Sequence, residues 1–176
     1  MAILVLLFSA AIGRALAAAD DDANREYQIK AAMIFNFAQF AEWPANAFES
    51  ADSPLVIAVE GSNPFGDVLE QLVAGRTISR RRVVVKFFPS VARIETCHLL
   101  FIPGDQGAEL NRALQKVQGK PVLTVGETDA FPKAGGVIRF FTDDNKLRFE
   151  INTQAAEQAH LTISSKLLKL ARIFKQ

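Results

Sequence analysis

Leu55-Val56-Ile57-Ala58-Val59 is a run of five apolar residues with no polar residue among them. A strand with one wet face alternates apolar and polar residues; a strand buried on both faces does not. The run therefore demands a sheet covered on both sides. Similar runs recur. Arg82 to Phe88 carries Val83, Val84, Val85, Phe87 and Phe88, Leu99 to Ile102 is wholly apolar, and Pro121 to Val125 ends at Gly126. Helical segments lie between them. Pro64 to Val73 turns Val68, Leu69 and Leu72 inward, with Pro at its first position and Gly75 past its end. Ala108 to Val117 puts Leu110, Leu114 and Val117 on one side. Such alternation predicts an α/β fold: a mostly parallel sheet sandwiched between helices, in a Rossmann-like three-layer single domain.

The two ends of the chain depart from the repeat. Asn24 to Trp43 reads as a helix, with Tyr27, Ala31, Ile34, Phe35 and Ala38 at helical spacing and Met33, Phe37, Phe40 and Ala41 widening the apolar face. A helix apolar on most of its circumference must be covered on most sides. Either it is central to the core, or a partner subunit covers what the domain leaves bare. Pro44 ends it. Near the other end, Val137 to Phe141 and Leu147 to Ile151 flank Thr142-Asp143-Asp144-Asn145. Asp and Asn tolerate the positive φ of a tight turn, so this is a C-terminal antiparallel hairpin at the sheet's edge. Asn152 or Thr153 is expected to cap a helix to about Ala159. Lys166 to Phe174 is expected to be a last helix, with Leu167, Leu170, Ala171 and Phe174 facing the core and Lys166, Lys169 and Arg172 opposite. Counting the six long runs in chain order, the expected strand order is 2-1-3-4-5-6.

Residues 1–19 carry an apolar core from Ile3 to Ile12, then Ala15-Leu16-Ala17-Ala18-Ala19, then Asp20-Asp21-Asp22. That is the layout of a cleaved secretory signal peptide, followed by one domain over 20–176. The core is too short for a bilayer span, which needs about 20 apolar residues. The formal charge is +1, so no global field points to nucleic acid or an acidic membrane. Cys97 is the one cysteine, so no disulfide can form within the chain. It is either buried and inert or available to pair between chains.

No catalytic constellation emerges. His98 and His160 are the only histidines, with no His-Glu-x-x-His pattern and no second thiol for zinc, so no metal site or cofactor is expected. The Gly61 to Gly66 loop lacks the Gly-Lys-Ser/Thr of a phosphate loop, and no Gly-x-Ser-x-Gly elbow occurs. Arg80-Arg81-Arg82 fits a solvated strand entry better than an anion site. Ligands of open α/β sheets favour the carboxyl ends of strands. There Asn63, Glu127 and Thr128 are candidates for hydrogen bonds to a small polar ligand, or they belong to ordinary loops. Period-two alternation places Arg148, Glu150 and Asn152 on one strand face. Arg148 and Glu150 can pair with each other or grip a partner.

Lys30-Ala31-Ala32-Met33-Ile34-Phe35-Asn36-Phe37-Ala38 with Trp43-Pro44, and Asn63-Pro64-Phe65-Gly66-Asp67, resemble the opening of the YfiR family. Pro121 to Val125, Arg148 to Asn152 and Ser164 to Arg172 continue the resemblance in order. It implies a periplasmic α/β protein without enzymatic activity. It also implies a homodimer that binds the periplasmic sensor part of a membrane-bound diguanylate cyclase and restrains cyclic-di-GMP synthesis. A histidine kinase sensor or an outer-membrane protein can stand in the cyclase's place. By that analogy Phe37, Phe40 and Trp43 of the first helix, with Arg148 and Glu150, are the candidate partner contacts. The family member known for redox control has paired cysteines, so the lone Cys97 excludes an internal disulfide switch here.

Overall fold

A computed structural model describes residues 22–104 and 107–175. The signal peptide expected over 1–19 lies outside the described residues. Helix α1 (22–40) comes first, followed by β1 (Ala41–Glu42), β2 (Leu55–Glu60), α2 (Val68–Val73), β3 (Thr77–Ile78) and β4 (Arg81–Phe88). Then come β5 (Leu99–Ile102), α3 (Ala108–Val117), β6 (Leu123–Gly126) and the hairpin β7 (Ile138–Asp143) and β8 (Lys146–Ile151). The chain ends with α4 (Thr153–Gln158), β9 (Thr162–Ile163), α5 (Ser165–Leu168) and β10 (Arg172–Ile173).

Eight strands form one sheet in the order β10-β8-β7-β6-β5-β2-β4-β3. Pairing is parallel except at β7/β8 and β3/β4. The six long strands follow the order expected from the sequence; β3 and β10 extend the sheet beyond them. All six residues of β2 are buried, as its unbroken apolar run requires. Alternate side chains enter two separate cores. Leu55, Ile57 and Val59 join Ala31, Ile34, Phe35, Phe37 and Ala38 of α1 and Leu69 of α2. Val56 and Ala58 join Leu110, Ala113, Leu114 and Val117 of α3 on the other face. The three layers follow directly from that alternation.

Local chemistry sets the element ends. Asp144 and Asn145, at φ 47° and 54°, make the two-residue turn of the β7/β8 hairpin. Ser79 and Arg80, at φ 50° and 67°, turn β3 back onto β4. Asn152 caps α4 by accepting from the Ala155 N–H at 3.0 Å. Phe131 is fully buried between Gly126 and Gly136, and a Cβ on either glycine would overlap its ring.

Three expectations need correction. The first helix stops at Phe40 instead of Trp43, because Ala41 and Glu42 pair antiparallel with Ile163 and Thr162. The second starts at Val68 instead of Pro64, because the Asn63 side chain accepts from the Phe65 N–H and donates to the Gly66 carbonyl, holding a turn there. The last helix is only Ser165–Leu168. The chain then leaves the helix so that Arg172 and Ile173 can lie parallel to Glu150 and Ile151 of β8.

Candidate functional site

The carboxyl ends of β2, β5 and β6 meet the amino-terminal half of α1, and an ionic cluster fills the junction. Lys30, 6% exposed, lies 2.5 Å from Glu26 one turn earlier and also contacts Glu127, the residue after β6. Glu127 further accepts the Gly104 N–H at 3.1 Å and the Tyr27 hydroxyl at 3.4 Å. The Tyr27 ring stands edge-on to Phe65, which stands edge-on to Phe101. Burial acts to lower the Lys30 pKa, but its hydrogen bonds to Glu127 and Glu26 outweigh that, and it sits above the ordinary lysine value. Burial and the Glu127 charge raise the Tyr27 phenol, which therefore stays a neutral donor. The cluster fastens helix to sheet.

A second cluster lies at the hairpin edge. Glu150 is buried between two arginines: Arg139 Nε at 2.6 Å, and Arg172 through Nε at 2.9 Å and Nη2 at 2.8 Å. The Arg139 Nε–H is off the hydrogen-bond axis, so this contact is charge pairing alone. Arg139 also meets the fully exposed Asp129, and Arg172 stacks over the Phe141 ring at 3.8 Å.

These placements revise several expected roles. Phe37 is 1% exposed and packs against Phe140 and Phe149, so it is core and not a contact surface. Phe40 and Trp43 are half-buried, and the Trp43 indole donates to the His98 carbonyl at 3.1 Å. Arg148 is exposed and pairs with Asp143 at 3.5 Å instead of with Glu150. Glu150 is buried and held by Arg139 and Arg172, so it is not free to grip a partner. Asn63 serves its own turn. Thr128 follows Glu127 in the expected crevice, and its buried hydroxyl has no hydrogen-bond partner among the described residues. Clefts of about 360 and 400 Å³ open instead at the amino ends of the strands, both touching Val122. Cys97 lines the second cleft but is itself buried, and burial pushes its thiol pKa up to about 12. A thiol so placed is inert at neutral pH.

Sequence reasoning missed the roles of Lys30, Tyr27, Arg139, Arg172 and Arg81. The Arg81 guanidinium donates to the carbonyls of Ser50, Ala51 and Ser53 and stacks on Phe48. Lys30 and Glu127 are 97 residues apart, so no local spacing announces their pairing. His98 stacks on Phe48, accepts the Val56 N–H at Nδ1 and meets the Ala47 carbonyl at Nε2. Among the described residues, no group of three or more His, Cys, Asp or Glu side chains is placed to hold a metal ion.

Residues 27–172 match the family described as YfiR/HmsC-like. The chain belongs to that family. The YfiR/HmsC-like family is known for regulating diguanylate cyclase signalling and is regulatory rather than catalytic. No curated protein matches the chain. A solved ABC domain from Streptococcus pneumonia, in complex with L-Trp, superposes with a TM-score of 0.49 at 14% identity. The overlap covers 68% of this YfiR/HmsC-like chain and 54% of that one, so the chain spans about half of that structure's length. No helix among the described residues is long and apolar enough to cross a membrane.

Proposed function

We propose that this protein is a periplasmic regulator that binds the sensor part of a membrane-bound diguanylate cyclase and restrains cyclic-di-GMP synthesis. The observation that carries this reading is the family match over 27–172. The secretory layout of residues 1–19 supports the compartment. The contact surface is the outer side of α1, where Ile29 is 47% exposed and Phe40 half-buried, continued by Trp43. That same apolar stripe is the surface by which two copies pair.

Deleting the gene should raise basal cyclic-di-GMP, and the purified protein should bind the cyclase's periplasmic domain. Ile29→Asp should weaken that binding without lowering the melting temperature by more than a few degrees. Unchanged cyclic-di-GMP in the deletion strain, with no binding in vitro, would remove the reading.

A second reading, a small-molecule binding module beside Glu127 and Thr128, is favoured by the unpartnered Thr128 hydroxyl. A metabolite screened by thermal shift should then stabilise the native protein and lose its effect in Thr128→Val. A screen in which no compound moves the melting temperature counts against it.

A further inference from the structure

The carboxyl-terminal strap, residues 165–175, contains Lys166, Lys169, Arg172 and Lys175 and no acidic residue. Arg172 is committed to Glu150. The three lysines are exposed. Between them project Leu170, 75% exposed, and Ile173, 40% exposed; with Ile29 they are the exposed large apolar side chains of the described residues. The strap itself is fixed. Leu167 is buried, the Phe174 N–H donates to the Ile151 carbonyl at 2.9 Å, and Arg172 stacks on Phe141. A fixed edge therefore carries two exposed apolar side chains in a segment with three lysines that make no ion pair among the described residues.

We propose that this strap docks on an anionic phospholipid surface. Its chemistry fits lipid better than protein. The cores of protein interfaces are depleted of lysine and enriched in aromatic residues and arginine. Lysine instead suits a headgroup layer, where a flexible stem reaches a phosphate while an adjoining leucine enters the acyl boundary. Neither of the two clefts described above reaches the strap. Addition of a partner strand along the outer edge is disfavoured, because β10 is two residues long and flanked by lysine, a pattern that blunts strand edges. The net charge of the whole chain is only +1, so the attraction is local to this edge and orients the molecule. The assignment stands independently of the cyclase reading, since it needs only the protein and a bilayer.

The test is co-sedimentation of the purified protein with vesicles of phosphatidylcholine containing one-third phosphatidylglycerol, against pure phosphatidylcholine. Binding is expected only to the anionic vesicles and should fade at high salt. Each lysine near the surface contributes roughly fivefold in partitioning, so Lys166→Gln, Lys169→Gln and Lys175→Gln together should weaken binding about a hundredfold. Leu170→Ser should weaken it with the salt dependence kept. All four positions are exposed, and an unchanged thermal melt shows that the variants remain folded. Absence of binding to anionic vesicles overturns the proposal, as does a triple variant that binds like the parent. Capture by polyglutamate but not by vesicles also overturns it, in favour of an acidic protein partner.

Discussion

The two ionic clusters are mirror images in charge. In one, a buried cation, Lys30, sits between Glu26 and Glu127; in the other, a buried anion, Glu150, sits between Arg139 and Arg172. Their surroundings differ. Glu127 retains the Gly104 N–H and the Tyr27 hydroxyl whatever happens to Lys30. Among the described residues Arg139, 8% exposed, has one carboxylate besides Glu150, that of the surface residue Asp129, and the Phe141 ring at 5.4 Å. What a buried charge costs when its partner goes is set by the other hydrogen bonds around it. The hairpin-edge cluster should therefore be the more fragile.

The most damaging test is Glu150→Gln. It leaves Arg139 buried without adequate compensation and should lower unfolding free energy by about 3–5 kcal/mol, read by urea titration. Lys30→Met should cost less, about 1–3 kcal/mol, because Glu127 keeps two donors. The reverse order would break the comparison. Arg172→Ala removes a half-exposed flank and should cost about 1 kcal/mol or less. Its distinctive readout is faster hydrogen exchange at the Phe174 amide as β10 loosens. Arg148→Ala, in the exposed pair with Asp143, should stay within about 0.5 kcal/mol of the parent.

His98 sharpens the contrast, because it is buried, polar and neutral. Burial, with the nearby Arg81 charge, lowers its pKa below the ordinary 6.5, against the Ala47 hydrogen bond that raises it. As pH falls below 6.5 the unfolded chain takes up a proton that the folded imidazole resists, so stability declines towards acid. Melting temperatures from pH 7.5 to 5.5 should show this slope in the parent and a flatter line in His98→Gln. Equal slopes would exclude His98 as the cause.

The middle of the fold was legible because its signals are local. β2 and β5 announce themselves by uninterrupted apolar residues, α3 by its period, and the hairpin by Asp144-Asn145. Connectivity and crossover handedness narrow the strand order without fixing it; the pairings of the sheet itself set it. The carboxyl end was not legible, because Leu167, Leu170 and Phe174 keep a helical period that the chain does not use. What overrides it is the charge of Glu150 and the free edge of β8, both invisible from residues 166 to 174. Phe37 was ambiguous for a related reason: periodicity says that a face is apolar, not which object covers it. The ionic clusters were hidden because each joins residues that only the sheet brings together.

Phe131 links the two clusters mechanically. It rivets the segment that begins with Glu127 and Asp129, one residue from each network, between the backbones of Gly126 and Gly136. Enlarging either glycine by a single methyl would evict the ring and slacken both networks together, so the helix junction and the hairpin edge share one fastener.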